Sequence, residues 1–188
     1  MSEIECWSPL QVWLYSVFSR DRRRREKVVE ILAPGPGDHL LDIGCGLGQV
    51  LDAALRRGAR ASGIDPSPAM VRQARRRVPD AHVELGSAED VPFPDRAFSH
   101  VAALDTFHHW ADRGAGLREA VRVLAPGGRL LIVEKQLASG TGHGLTQSDA
   151  QVLAARLSEL GLERLEIGEI SVGRHRLLAV SGLKPTPE

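Results

Sequence analysis

Short apolar runs alternate with longer amphipathic stretches along most of this chain. His39-Leu40-Leu41-Asp42-Ile43 is the first such run, followed by a helical stretch from Gln49 to Arg57 and a second run at Arg60 to Ile64. The pattern continues with a helix from about Pro66 to Val78, strands at Ala81 to Leu85 and Phe98 to Leu104, a helix at Gly114 to Leu124 and a strand at Arg129 to Glu134. Strands separated by helices can pair in parallel, because each helix carries the chain back to the starting edge of the sheet. The spacing therefore predicts an α/β domain with a largely parallel sheet and helices on both faces.

The last third changes character. Thr146-Gln147-Ser148-Asp149 has the residues of a helix-start cap, ahead of an amphipathic run from Ala150 to Leu160 that Gly161 ends. Two β-like segments follow, Leu165 to Val172 and Arg174 to Ser181, with only Gly173 between them. So short a gap permits only antiparallel pairing, and the sheet should finish in an antiparallel hairpin at its edge. Lys184 to Glu188, with two prolines, reads as a frayed tail. At the other end, about Ser8 to Leu32 reads as helical, with Trp7, Trp13, Tyr15 and Phe18 concentrated there. The charge-rich stretch Arg20 to Lys27 reads as a solvated helix face. The organisation expected is a helical cap segment over 1–36, one main domain over 37–183 and a tail over 184–188.

Composition narrows the classes. A chain of 188 residues with 43% hydrophobic and 26% charged positions fits one ordinary globular domain, which excludes a disordered or fibrous protein. Basic and acidic residues balance at 24 each, so no global field draws nucleic acid or an anionic membrane. Cys6 and Cys45 cannot build a disulfide scaffold, and no Cys/His spacing resembles a zinc ligand set, so no metal is expected. Met1 to Pro9 carries two Glu and no basic start with a long apolar run, which does not read as a signal peptide. No stretch reaches the roughly 18 apolar residues of a membrane span. A cytoplasmic protein is expected.

Candidate chemistry begins at Leu41-Asp42-Ile43-Gly44-Cys45-Gly46-Leu47-Gly48-Gln49, which follows a predicted strand and opens a helix. Glycines there allow tight turning and close backbone approach to a ligand, and the helix start offers free N–H groups. A dinucleotide fingerprint would need Gly where Gln49 stands, so a pyrophosphate cradle is disfavoured. A nicotinamide oxidoreductase would also want a Tyr-x-x-x-Lys pair, and the chain's one Tyr is Tyr15. Asp65, at the end of the second predicted strand, can accept both hydroxyls of a ribose, or cap a helix that begins at Pro66. Three further segments complete the set: Gly86 to Asp95 after strand three, Phe98 to Trp110 with its Asp105-Thr106-Phe107-His108-His109-Trp110 ending, and Arg122 to Leu130, where a helix stops at Pro-Gly-Gly and a strand begins.

In this order and at these spacings the five segments resemble the class I S-adenosylmethionine (SAM)-dependent methyltransferases, in particular the small-molecule group of ubiquinone and menaquinone C-methyltransferases, over roughly Gly37 to Glu134. The resemblance implies a Rossmann-like seven-stranded sheet, SAM as cofactor and S-adenosylhomocysteine as product. It puts Asp42, Gly44, Cys45, Gly46 and Gly48 at the amino-acid end of SAM and Asp65 on its ribose. Pro66 and Met70 would pack on the adenine, Ser87, Ala88 and Glu89 would border its edge, and Leu104 and Asp105 would line the methionine side. Two positions depart from the family pattern: Ser87 replaces an Asp that commonly accepts the adenine amino group, and Asp105 replaces an apolar residue. Cys45 is expected to be small, buried and unreactive.

The reaction implied is direct displacement of a methyl group from a sulfonium by oxygen, nitrogen or carbon of a small-molecule acceptor. Such a step needs alignment above all, and a general base only where the acceptor carries a proton. His108 and His109 are the candidate catalytic residues, with Asp105 and Glu134 also at the strand ends. The reading favoured for the His pair is nonetheless packing or capping after the strand, and for Glu134 a strand-end residue bonded to the loop. Residues 1–36 and the Gly-, Ser- and Thr-rich segment Lys135 to Gly144, read as mobile, are left to shape an acceptor pocket. A catalytically silent SAM-binding regulator is the alternative, and a homodimer is left open.

Overall fold

Seven strands and five α-helices account for the regular structure of a computed structural model that describes residues 22–140 and 142–187. The aromatic cluster Trp7 to Phe18 and most of the expected first helix lie outside the described residues. The strands are β1 (His39–Ile43), β2 (Arg60–Asp65), β3 (His82–Leu85), β4 (Phe98–Leu104), β5 (Leu124–Lys135), β6 (Glu163–Val172) and β7 (His175–Leu183). The helices are α1 (Arg22–Leu32), α2 (Gln49–Leu55), α3 (Pro68–Arg77), α4 (Arg113–Val123) and α5 (Gln147–Glu159), with a single 3-10 turn at Phe107–His109. Among the described residues no helix is long and apolar enough to cross a membrane.

The strands form one sheet in the order β3-β2-β1-β4-β5-β7-β6. β1 pairs in parallel with β2 and β4, and β7 runs antiparallel to both β5 and β6. The hairpin predicted at the edge is thus present. Alternation along each strand divides the core between the two faces. Leu41, Val101, Leu130 and Ile132 pack under α4 and α5 with Leu117 and Leu153, whereas Leu40, Ala102, Leu131 and Val133 face α1, α2 and α3 through Val28, Leu51 and Val71. The chain winds outward from β1 to β3, then returns to place β4 on the other side of β1. Such a reversal leaves a crevice beyond the carboxyl ends of the strands on either side of it.

Three local outcomes differ from expectation. Helix α3 begins at Pro68 because Ser67 is its N-cap, accepting the Met70 N–H at 3.4 Å, so Asp65 is not the cap. The Pro-Gly-Gly break does not separate α4 from β5 but forms an outward excursion within the strand: Phe98 pairs with Leu124 while His100 already pairs with Arg129. Lys184, placed by sequence in the tail, is tied to this excursion. Its backbone N–H donates to the Gly128 carbonyl at 2.9 Å. Its ammonium donates to the Val121 and Leu124 carbonyls at 2.7 and 2.8 Å, covering the end of α4. Helix α5 starts as predicted, with a reciprocal capping box between Thr146 and Asp149.

Candidate functional site

The crevice is walled by the loop that joins β1 to α2. Gly44, Gly46 and Gly48 all take left-handed backbone conformations, with φ of +77°, +51° and +75°. A side chain at Gly44 would overlap Thr106 in the segment after β4, so the close approach of the two loops requires glycine. Asp65 at the tip of β2 clamps this loop: its Oδ2 accepts the Gly46 N–H and its Oδ1 the Ser67 N–H, both at 2.9 Å. Burial raises its carboxyl above the ordinary value, while those two N–H groups pull the other way. Each oxygen retains a second acceptor position for a ligand hydroxyl.

Asp42 is 2% exposed, and its Oδ1 has no hydrogen-bond partner among the described residues. Burial first, and the negative charge of Asp65 second, push its pKa up to about 8, against the opposing pull of Arg25. Arg25, itself 7% exposed, reaches in from α1. With Asp42, Gly44, Cys45, Gly46, Leu104 and Asp105 it lines a cavity of about 40 Å³. The neighbouring Arg24 donates to Asp105 Oδ2 at 2.7 Å, and Asp105 takes a left-handed backbone conformation with φ of +52°. Burial raises the Asp105 carboxyl and Arg24 opposes that shift. The reading of the charge run as a solvated face is therefore corrected at Arg24 and Arg25, although Arg23 is exposed. Nothing in a run of arginines shows which of them will meet a sheet edge.

Cys45 is buried, and an atom added at Gly63 would come within 2.8 Å of its Sγ. Burial, with Asp42 and Asp65 beyond it, pushes the thiol pKa well above its ordinary value, so the group stays protonated. The other residues assigned to the cofactor lie outside the small cavity, along the ends of β2 and β3. Pro66 is exposed, Ser87 and Glu89 are half-buried and Ala88 is buried. Met70 is buried against Leu47, and Gly48 caps α2. Glu89 accepts the Asp112 N–H at 3.2 Å, which turns it toward α4. Leu85, aligned with Asp65 across β2 and β3, is 53% exposed and adds an apolar surface that the sequence did not single out. A larger groove of about 560 Å³ between α4 and α5 shares no residue with the Asp42 cavity.

The 3-10 turn after β4 brings His108 over the end of β5. Glu134 there is fully buried. Its Oε2 pairs with His108 Nδ1 at 2.6 Å and its Oε1 accepts the His108 backbone N–H at 3.3 Å, as expected of a strand-end residue bonded to the loop. The His108 and His109 rings lie 3.9 Å apart, centroid to centroid. The segment after β5 is closed at its base, with Leu137 N–H on the Leu145 carbonyl at 2.8 Å and Leu145 N–H on the Lys135 carbonyl at 2.9 Å.

A family profile described as a methyltransferase domain matches residues 41–132. The chain is 38% identical over 117 residues to the 27-O-demethylrifamycin SV methyltransferase of Amycolatopsis mediterranei, an alignment covering 58% of this chain and 43% of that protein. It is 34% identical over 119 residues to the demethylmenaquinone methyltransferase of Thermotoga maritima, covering 62% and 52% respectively. The chain thus spans about half the length of the curated relatives it matches. Its fold is that of a SAM-dependent methyltransferase from Aquifex aeolicus, with a TM-score of 0.74 at 21% identity over 94% of this chain and 98% of that one.

Proposed function

We propose that this chain, a member of the class I SAM-dependent methyltransferases, moves a methyl group from SAM to oxygen, nitrogen or carbon of a small-molecule acceptor. The observation that carries the reading is the buried Asp42 Oδ1 without a partner, beside the buried Arg25 guanidinium. A carboxylate and a guanidinium facing one small cavity match the ammonium and carboxylate of an amino-acid moiety. The cavity of about 40 Å³ holds that end alone, and the nucleoside would lie along the strand ends, with Asp65 on the ribose and Pro66, Met70, Ser87, Ala88 and Glu89 around the adenine.

SAM, when bound, supplies a methyl group already activated on a sulfonium, and what the protein adds is alignment of the acceptor. His108 and His109 stand on the acceptor side. With Nδ1–H donated to Glu134, His108 keeps a lone pair on Nε2 that can take a proton from an acceptor hydroxyl or amine. Glu134 acts through that ring and is a positioning residue. The two named relatives differ in acceptor, one demethylrifamycin and the other demethylmenaquinone, so the reading stops at a small-molecule acceptor.

Isothermal titration with SAM, S-adenosylhomocysteine and NAD tests the cofactor, and the first two should bind while NAD does not. Tighter binding of NAD would overturn the assignment. A metabolite screen with methyl-labelled SAM tests the reaction. Cofactor binding with no S-adenosylhomocysteine formed from any acceptor would favour the silent SAM-binding regulator, a reading that Ser87 in the adenine-binding position keeps open.

A further inference from the structure

The geometry points to a metal site: His108, His109 and His143 together hold one divalent transition-metal ion of the zinc class. One ring nitrogen from each residue lies within 4.8 Å of the others. His143 comes from the segment after β5, and its ring centroid is 5.1 Å from that of His108 and 5.6 Å from that of His109. The spacing of Cys and His along the chain shows none of this, which is why no metal was expected from sequence.

Three features make this more than a chance crowding of imidazoles. The first is the Glu134 contact. A metal-bound histidine almost always gives its other ring nitrogen to a carboxylate or carbonyl, which fixes the ring and raises its basicity. His108 has that arrangement already, with Nδ1 on a fully buried carboxylate and Nε2 left for an ion. The second is the delivery of His143. The next residue, Gly144, has φ of +149° and is pressed so closely on Lys135 that an added Cβ would overlap its carbonyl oxygen. Together with the Leu137 and Leu145 hydrogen bonds, this sets where the loop passes over the pair. The third is the room to adjust. Nitrogen donors on tetrahedral zinc, with Zn–N of about 2.0–2.1 Å, stand roughly 3.3 Å apart, so the rings must close by roughly 1.5 Å at most. His109 and His143 are exposed and can supply that movement, while His108 stays anchored.

Three neutral imidazoles suit zinc, cobalt, nickel or copper rather than magnesium or calcium. Three protein donors leave a further coordination position open. His108 and His109 lie just beyond the end of β4, and His108 sits over the end of β5 through Glu134. On the methyltransferase reading, and resting on it, the open position would receive an acceptor bearing a metal-binding oxygen, such as a phenol or a hydroxy acid. Metal binding itself does not depend on that reading.

The test uses tag-free full-length chain, zinc and cobalt(II) alone as probes, and S-adenosylhomocysteine titrated in parallel. Expected are one zinc per chain with submicromolar affinity in competition with a chromophoric chelator, and a cobalt(II) visible spectrum of a four-coordinate site with three nitrogen donors and one exchangeable ligand. His143→Ala, on an exposed residue, should weaken zinc binding about tenfold or more and leave S-adenosylhomocysteine affinity as it was. Glu134→Gln should weaken zinc about 10–100-fold through His108. Substoichiometric or weaker zinc binding, or an affinity unmoved by His143→Ala in a folded protein, would overturn the site. Zinc held without S-adenosylhomocysteine binding would defeat the cofactor assignment and leave the metal site standing.

Discussion

Cofactor affinity should rise with pH across the neutral range, and replacing Asp42 by Asn should remove that rise. The Asp42 carboxyl, with its pKa pushed up to about 8 by burial, is ionised in about one molecule in ten at pH 7 and about one in a hundred at pH 6. An ammonium bound against it requires the ionised form, so affinity should fall about tenfold for each unit below pH 8. Above that point the α-amino group of the cofactor, with an ordinary pKa of about 7.7–8.0, loses its own proton and affinity turns over. Binding at pH 7 should release close to one proton, readable as a difference in calorimetric heat between buffers of unlike ionisation enthalpy. Asp42→Asn keeps the shape and removes the charge. At pH 8 the loss of a charge-assisted hydrogen bond, about 1.5–3 kcal/mol, corresponds to roughly 10–150-fold in affinity. At pH 6 the unmodified protein has already lost about as much, so the two curves should converge. S-adenosylhomocysteine affinity that is flat between pH 6 and 8, or binding without proton release, would refute this account of Asp42.

Three further outcomes follow from the same structure. Without cofactor, the folded protein holds the Asp42 proton more tightly than the unfolded chain, whose reference pKa is 3.8. The stability this contributes is fully present below about pH 4 and is lost progressively until pH passes about 8, so the thermal midpoint should carry a fall between about pH 4 and 8 that Asp42→Asn lacks, and a fall of the same size in Asp42→Asn would count against it. Asp65→Ala should weaken S-adenosylhomocysteine binding by on the order of 2–3 kcal/mol, and unchanged affinity in a folded variant would leave Asp65 only as the clamp on Gly46 and Ser67. Thr146→Ala breaks the capping box of α5 and should cost about 1 kcal/mol in urea unfolding, and a stability equal to the parent's would show that the box carries no net weight.

Strand positions, the closing hairpin and the cap at Thr146 were legible in the chain itself, because each is set by residues that are neighbours in sequence. A short apolar run such as Leu40-Leu41, whose successive side chains go to opposite faces of the sheet, a single glycine between two β-like runs, and a hydroxyl three residues before an acid are local instructions. The glycine loop and Asp65 belong to the same class, since a strand, a tight turn and a helix start are consecutive. The strand order is another matter, as it depends on which side of β1 the returning chain comes to lie. So does the electrostatic character of the site. Asp42 looks like any strand-end acid until the sheet buries it near Asp65, and Arg25 looks like one more surface arginine until α1 lays it in the crevice. His143 joins His108 and His109 only because β5 and its closed loop bring it back over the turn after β4. Desolvation and charge pairing are properties of what surrounds a group in space, and those surroundings come from segments far apart in the chain.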